Sequence, residues 1–201
     1  MIFIQHRVNS KNDLANVSVE FGVEMDLRCN PAIPGEMIVH HDPWANGDSF
    51  SDWLDEYAKR GIRGPLILNT KEDGLEERLI EMCASRGISN FFFLDTAFPT
   101  LVKWTLGRGE KRFAGRVSRY EPGTIYERFV GKMDWLWVDC FHGEPMDVAE
   151  IVGLKQNFKI CLVSPELQGM PLAHLTRFRE LAGIADAICT KYPGEWKSII
   201  R

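Results

Sequence analysis

The sequence predicts an α/β protein, a single compact (β/α)8 barrel, on three observations. Short apolar, β-rich runs alternate with amphipathic segments almost from end to end, the main runs number eight, and nearly all of them end in polar residues. The chain has 201 residues, 45% hydrophobic and 26% charged, an ordinary composition for one domain with a real core. No linker, low-complexity tract or internal repeat divides it, so residues 1–201 read as one domain. At this length, near the lower limit of about 200 residues for such a barrel, no inserted subdomain fits. A doubly wound open sheet is the competing fold. It would want a Gly-rich phosphate turn after the first strand, where the sequence is His6-Arg7-Val8-Asn9.

In chain order the runs are Ile2 to Gln5, Gly22 to Leu27, Leu66 to Asn69, Asn90 to Leu94, Phe113 to Ser118, Asp134 to Val138, Lys159 to Val163 and Asp186 to Thr190. An extra short run lies at Met37 to His40. The runs are short and apolar, the pattern of strands in βα units around a parallel sheet. The expected helices are Asn12 to Glu20, Phe50 to Lys59, Leu75 to Arg86, Pro99 to Gly107, Thr124 to Val130, Asp147 to Gln156 and Leu172 to Ala182. Leu75 to Arg86 has the clearest helical face, with Leu75, Leu79 and Met82 on one side and Glu and Arg on the other.

Charge and cysteine content narrow the function classes. Lys and Arg number 24 against 28 Asp and Glu, a net charge of −4 that argues against binding nucleic acid through diffuse phosphate contacts. No window approaches the roughly 18 apolar residues of a membrane helix, and the start shows no secretory leader, so no stable membrane insertion and a cytoplasmic location are expected. The five cysteines (Cys29, Cys83, Cys140, Cys161, Cys189) are an odd number without a CxxC pair. They indicate neither a disulfide framework nor a zinc site.

The second run is the most informative. In Val23-Glu24-Met25-Asp26-Leu27-Arg28 the apolar residues take one parity and the charged residues the other. In a barrel the charged parity faces the mouth; in a half-exposed antiparallel strand the same alternation faces water. Other runs end similarly, in His6 and Arg7, Asn69 and Lys71, Asp95, Arg116 and Ser118, Asp139, Ser164 and Glu166, and Lys191. Glu24 and Asp26 outline a hard, oxygen-ligand cation site of the kind Mg²⁺ or Ca²⁺ prefers. Arg7, Lys71, Arg116 and Lys191 suit an anionic substrate. His6 and His41 are candidates for general base and general acid near neutral pH, and alternation turns His40 the other way. His142 and His174 read as surface residues. Trp44 could stack on a sugar or polyol, although tryptophans, Trp135 and Trp137 among them, more often pack helix against sheet.

His6-Arg7, Glu24-x-Asp26 and His41-Asp42-Pro43, at these spacings, resemble the signature of the glycerophosphodiester phosphodiesterases, within the phosphatidylinositol phospholipase C-like barrel superfamily. Leu66-Ile67-Leu68-Asn69-Thr70-Lys71 aligns with that family's third-strand segment, and the rest matches in its βα rhythm. The resemblance implies a TIM-type barrel, one divalent cation, Mg²⁺ or Ca²⁺, on Glu24, Asp26 and Asn69, and acid–base catalysis by His6 and His41. It implies that Arg7 and Lys71 contact the phosphate of a small-molecule phosphodiester. Asn69 stands where the family pattern has a third carboxylate, which keeps an oxygen, removes a charge and weakens cation binding. The expected activity is metal-dependent hydrolysis of a glycerophosphodiester-like or polyol or sugar phosphodiester. The alternative is a binding protein for a phospho-polyol or phosphosugar that has lost turnover.

Overall fold

The computed structural model describes residues 1–200 and has a mixed α/β architecture in which helices follow parallel strands. The chain divides into two compact units, one from Gln5 to Thr100 and the other comprising Met1–Ile4 and the chain from Leu101 onward.

The first strand, β1 (Ile2–Gln5), reaches the boundary between the units, and a short helix, α1 (Lys11–Ala15), follows. In α1 the Ser10 side chain caps the amide of Asp13, and the helix stops at Asn16. The expected continuation to Glu20 is absent because Asn16 turns its amide back onto the Asn12 carbonyl, giving the backbone a non-helical alternative. Next come β2 (Gly22–Cys29), β3 (Met37–Val39), β4 (Asp48–Ser49), α2 (Phe50–Arg60), β5 (Leu66–Thr70), α3 (Glu76–Ser85) and β6 (Phe91–Leu94). Strand β4 was not expected from sequence.

Within this unit β2 is the centre. It pairs in parallel with β5, in a register that sets Asp26 opposite Asn69, and antiparallel with β3, which in turn holds β4. On the far side of β5 lies β6, again parallel. Gly22 to Leu27 is buried on both faces, so β2 is not a half-exposed strand and Glu24 and Asp26 lie inside the protein. Helix α2 covers this region with Phe50, Trp53, Leu54 and Tyr57; Trp53 and Tyr57, one turn apart, stack at 5.6 Å. Each such fully buried large apolar side chain contributes about 1.5–3 kcal/mol. Gly61 ends α2 at φ +64°, and Lys59 and Arg60 in the last turn complement the helix dipole.

The other unit continues through α4 (Phe98–Val102), which begins before its boundary, β7 (Ala114–Val117), β8 (Trp135–Val138), α5 (Val148–Lys155), β9 (Lys159–Val163), α6 (Arg179–Ile184), β10 (Ala187–Thr190) and α7 (Pro193–Ile200). Strands β7, β8, β9 and β10 pair in parallel in that order. Three expected α-helices take other forms here. Pro122 and Pro171 each precede a 3₁₀ segment, Gly123–Phe129 and Leu172–Phe178, whose first bonds return to the proline carbonyls. The predicted helix from Pro99 becomes α4 followed by a π turn at Lys103–Gly107, where the Thr105 hydroxyl donates to the Leu101 carbonyl. Helix α7, also unpredicted, buries Trp196. Trp135 and Trp137 pack in the core, as do Cys83, Cys140, Cys161 and Cys189. Among the described residues no helix is long and apolar enough to cross a membrane.

Two close approaches demand glycine. A Cβ at Gly64 would lie 2.2 Å from the Gly22 backbone nitrogen, and one at Gly115 would lie 2.2 Å from the Tyr126 ring. Gly64→Ala and Gly115→Ala are therefore expected to destabilise by about 1–3 kcal/mol, the former more because backbone atoms cannot rotate aside. Gly153→Ala, in α5 with open space around the added carbon, has the opposite sign, a gain of about 0.5–1 kcal/mol. Urea unfolding midpoints check all three, and an unchanged midpoint for Gly64→Ala would show that the strand entry can open.

Candidate active site

The site in the Gln5–Thr100 unit is built on the charged parity of β2. Glu24 and Asp26 are each 1% exposed, a position that carboxylates hold only when their oxygens are engaged. Glu24 Oε2 accepts the Arg7 backbone N–H at 2.7 Å and lies 3.7 Å from His6 Nε2; its Oε1 accepts the Asn69 amide at 2.8 Å. Asp26 Oδ2 accepts Asn9 Nδ2 at 2.7 Å and faces Arg7 Nε at 3.5 Å, and its Oδ1 lies 3.2 Å from Lys71 Nζ. Lys71 Nζ also donates to Asn69 Oδ1 at 2.8 Å and to Asp95 at 3.0 Å.

Local backbone geometry makes these contacts available. Arg7 has φ +58°, a left-handed conformation that costs a non-glycine residue about 1–3 kcal/mol. That turn directs its N–H to the Glu24 carboxylate, and the next amide, Val8, donates to the Glu24 carbonyl at 2.8 Å. On β5 the register sets Asn69 beside Asp26, and Lys71 follows two residues later with its N–H on the Leu27 carbonyl. Burial, with the charge of Asp26 beside it, pushes the Glu24 carboxyl up to about 7, against the opposing pull of Asn69, Arg7 and Lys71.

Strand β3 ends at Val39, so His40 and His41 lie in the turn beyond it. The His40 amide donates to the Asp26 carbonyl at 3.0 Å, anchoring this turn to β2. The His40 ring accepts the Asp42 amide at 3.0 Å and so closes the turn. His41 Nδ1 meets the Asp42 carboxylate at 2.7 Å, and its carbonyl accepts Arg28 Nε at 2.8 Å. The His41 ring beside it holds the Asp42 carboxyl below the usual carboxylate range. Trp44 follows at φ +61° and is 89% exposed, so it has no packing role.

Of the residues singled out by sequence, His6, Arg7, Glu24, Asp26, Asn69 and Lys71 thus form one contact network, and His41 is tethered one step away. Sequence reasoning missed Asn9. It bonds Asp26 twice, through Nδ2 to the carboxylate and through Oδ1 from the Asp26 amide at 2.9 Å. Its only signal was its place in the His-Arg-x-Asn turn. Arg116 and Lys191 belong to the other unit. There Arg116 Nη1 donates to the buried Asp139 at 2.6 Å, and the other Asp139 oxygen accepts Gln168 at 2.7 Å. Lys191 is exposed and gives its backbone N–H to Glu166, which also accepts the Thr190 hydroxyl and bonds Ser164.

The donor chemistry of Glu24, Asp26 and Asn69 is that of a hard cation site, but their arrangement is not an open one. All four carboxylate oxygens face protein donors, the Asn69 oxygen accepts from Lys71, and its amide nitrogen points at Glu24. Among the described residues no group of three or more His, Cys, Asp or Glu side chains is disposed to hold a metal.

No protein-family model matches the chain, and no curated protein sequence does. Solved structures do. A protein from Galdieria sulphuraria assigned as a glycerophosphodiester phosphodiesterase superposes with a TM-score of 0.74 at 15% identity, over 100% of this chain and 98% of that one. The glycerophosphodiester phosphodiesterase of Agrobacterium tumefaciens str. C58 gives 0.65 at 12% identity, over 98% and 99%. The chain has a glycerophosphodiester phosphodiesterase-like fold. The whole-length match on both sides leaves no large inserted or missing segment relative to these structures.

Within this glycerophosphodiester phosphodiesterase-like fold Asn9 carries a stability prediction. Asn9→Ala removes two hydrogen bonds from the buried Asp26, leaving its carboxylate oxygen only the longer Arg7 contact, and is expected to cost about 1–3 kcal/mol, read from urea unfolding. Asn9→Asp sets a second carboxylate against Asp26 and costs at least as much; a neutral Asn9→Ala would mean that water replaces both bonds.

Proposed function

We propose that the protein is a phosphoric diester hydrolase acting on a glycerophosphodiester-like or polyol or sugar phosphodiester. The observation that carries this reading is the buried Glu24–Asp26 pair with His6 and Arg7 set against it, on a fold that matches glycerophosphodiester phosphodiesterases over its whole length. The finer fold, one (β/α)8 barrel forming a single domain, belongs to the same proposal, and with it the assignment of Arg116 and Lys191 to the substrate.

The chemistry follows from the side chains. One histidine takes the proton of a substrate hydroxyl next to the phosphoester, and that oxygen attacks phosphorus. The other histidine protonates the departing alcohol oxygen, leaving a cyclic phosphate that water opens with the two roles reversed. His6 lies beside the Glu24 carboxylate and His41 beside Asp42, so each has an anion to stabilise its imidazolium form. The Arg7 guanidinium, half-exposed beside Asp26, reaches outward to the phosphate oxygens and neutralises the charge that grows on them. General acid–base help contributes about 10²–10⁴-fold, so positioning and electrostatics supply the rest. As read from sequence, the activity includes a divalent cation on Glu24, Asp26 and Asn69. Those three residues already engage protein donors.

With glycerophosphocholine or bis(p-nitrophenyl) phosphate as substrate, His6→Ala and His41→Ala are each expected to lower kcat by about 10²-fold or more, with combined effects well short of additive. His40→Ala retains activity, because its ring serves the turn. Greater loss in His40→Ala than in His41→Ala would reassign the acid–base partner. Absence of turnover across a broad diester panel, together with calorimetric binding of glycerol phosphate, would favour the phospho-polyol binding protein instead.

A further inference from the structure

We propose that Lys71 is the built-in cation of this site: its ammonium occupies the oxygen cage in which a divalent metal would sit, and the site works without metal. This deepens the phosphodiesterase reading and rests on it only for the word works; the occupancy of the cage rests on geometry alone.

Lys71 Nζ stands 2.8 Å from Asn69 Oδ1, 3.0 Å from Asp95 Oδ2 and 3.2 Å from Asp26 Oδ1. Of the three N–H donors of an ammonium, two are hydrogen-bonded, to Asn69 and to Asp95, and the Asp26 carboxylate adds an ion pair. One amide carbonyl and two carboxylates form the kind of oxygen set that attracts a hard cation, and here the chain supplies the cation itself. Strand register holds it there. Asp26 and Asn69 are direct partners across β2 and β5, Lys71 lies two residues past Asn69, and its own amide is tied to Leu27.

Asn69 completes the arrangement. A carboxylate at this position would add a fourth negative charge to Glu24, Asp26 and Asp95, against only Lys71 and Arg7. The amide links the two halves of the cage without charge, donating to Glu24 at 2.8 Å and accepting from Lys71. A metal ion entering the cage would have to expel a lysine side chain that is only 15% exposed, or take up its charge beside the ammonium. Asn69 and Lys71 therefore act together, the first lowering the demand for positive charge and the second, with Arg7 beside Asp26, supplying it. Held by two hydrogen bonds and an ion pair, Lys71 leaves phosphate contact to Arg7.

The test is thermal unfolding of the purified full-length protein in EDTA and in millimolar Mg²⁺, Ca²⁺ or Mn²⁺. The wild type is expected to melt at the same temperature in all four, whereas Lys71→Met melts lower in EDTA and recovers several degrees with at least one cation. Asn69→Asp in the Lys71→Met background shifts that recovery to lower cation concentration. A wild-type melting temperature that climbs with added cation overturns the proposal, as does a Lys71→Met protein indifferent to cations. Should Lys71→Met fail to fold, Lys71→Gln takes its place and the wild-type titration still decides. In a parallel assay with glycerophosphocholine, EDTA is expected to change wild-type turnover by less than about twofold, and a loss of more than about tenfold restored by Mg²⁺ overturns the metal-free claim. Turnover absent under every condition refutes the phosphodiesterase reading, and with it the claim of metal-free activity, while the melting data still judge the cage.

Discussion

Burying two carboxylates side by side on one strand is the constraint around which the Gln5–Thr100 unit is organised. Glu24 and Asp26 sit on the same face of β2, almost without solvent, where an isolated carboxylate would cost several kcal/mol. The compensation is drawn from two places in the chain. The turn after β1 brings Arg7 and Asn9, and the end of β5 brings Asn69 and Lys71, the last shared with Asp95 from the loop after β6. Remove β5 or change its register by one residue and Asn69 turns to the other face, so that Glu24 loses its side-chain amide donor and Asp26 its lysine.

The same demand accounts for strained backbone. Among the described residues Arg7, Trp44 and Asp95 are the non-glycine ones with positive φ, and all three lie in this unit, in turns that follow strands or strand-ending loops. At Arg7 the strain has a visible return, since the left-handed turn aims its N–H at Glu24 and leaves the guanidinium facing Asp26. At Asp95 the turn accompanies the contact with Lys71. Trp44 sits in an open turn two residues beyond Asp42, exposed on a segment anchored to β2 through His40. A rigid scaffold carrying outward-facing polar and aromatic groups on short loops is the usual way a fold of this class presents a site.

A second polar network in the other unit follows a similar rule by different means. Asp139, at the end of β8, is satisfied by Arg116 and Gln168, and Glu166 by Thr190, the Lys191 amide and Ser164, which in turn accepts the Trp196 indole N–H. Here one carboxylate pairs with a guanidinium and the other with neutral donors. It ties helix α7, through Trp196, to the end of β9.

What the sequence determined by itself is the alternation of strand and helix, the positions of nearly all the strands and the identity of the acidic pair, because period-two patterning and polar strand ends are local properties of the chain. The Glu24-x-Asp26 spacing required one face, and His6-Arg7 and Asn69-x-Lys71 announced polar strand ends. Boundaries governed by competing local bonds escaped it: α1 stops at Asn16, two helices tighten after prolines, and α7 went unnoticed. Only the tertiary structure decided whether the charged face of β2 looks at water or at protein, since both give the same alternation. It alone decided the surroundings of Lys71, which the family resemblance assigns to the phosphate and which register sets between Asp26 and Asp95. It also brought in Asn9 and Asp95, whose partners lie 17 and 24 residues away along the chain. Charge compensation of a buried group is settled by distance in space, and no periodicity in the sequence encodes which donor arrives first.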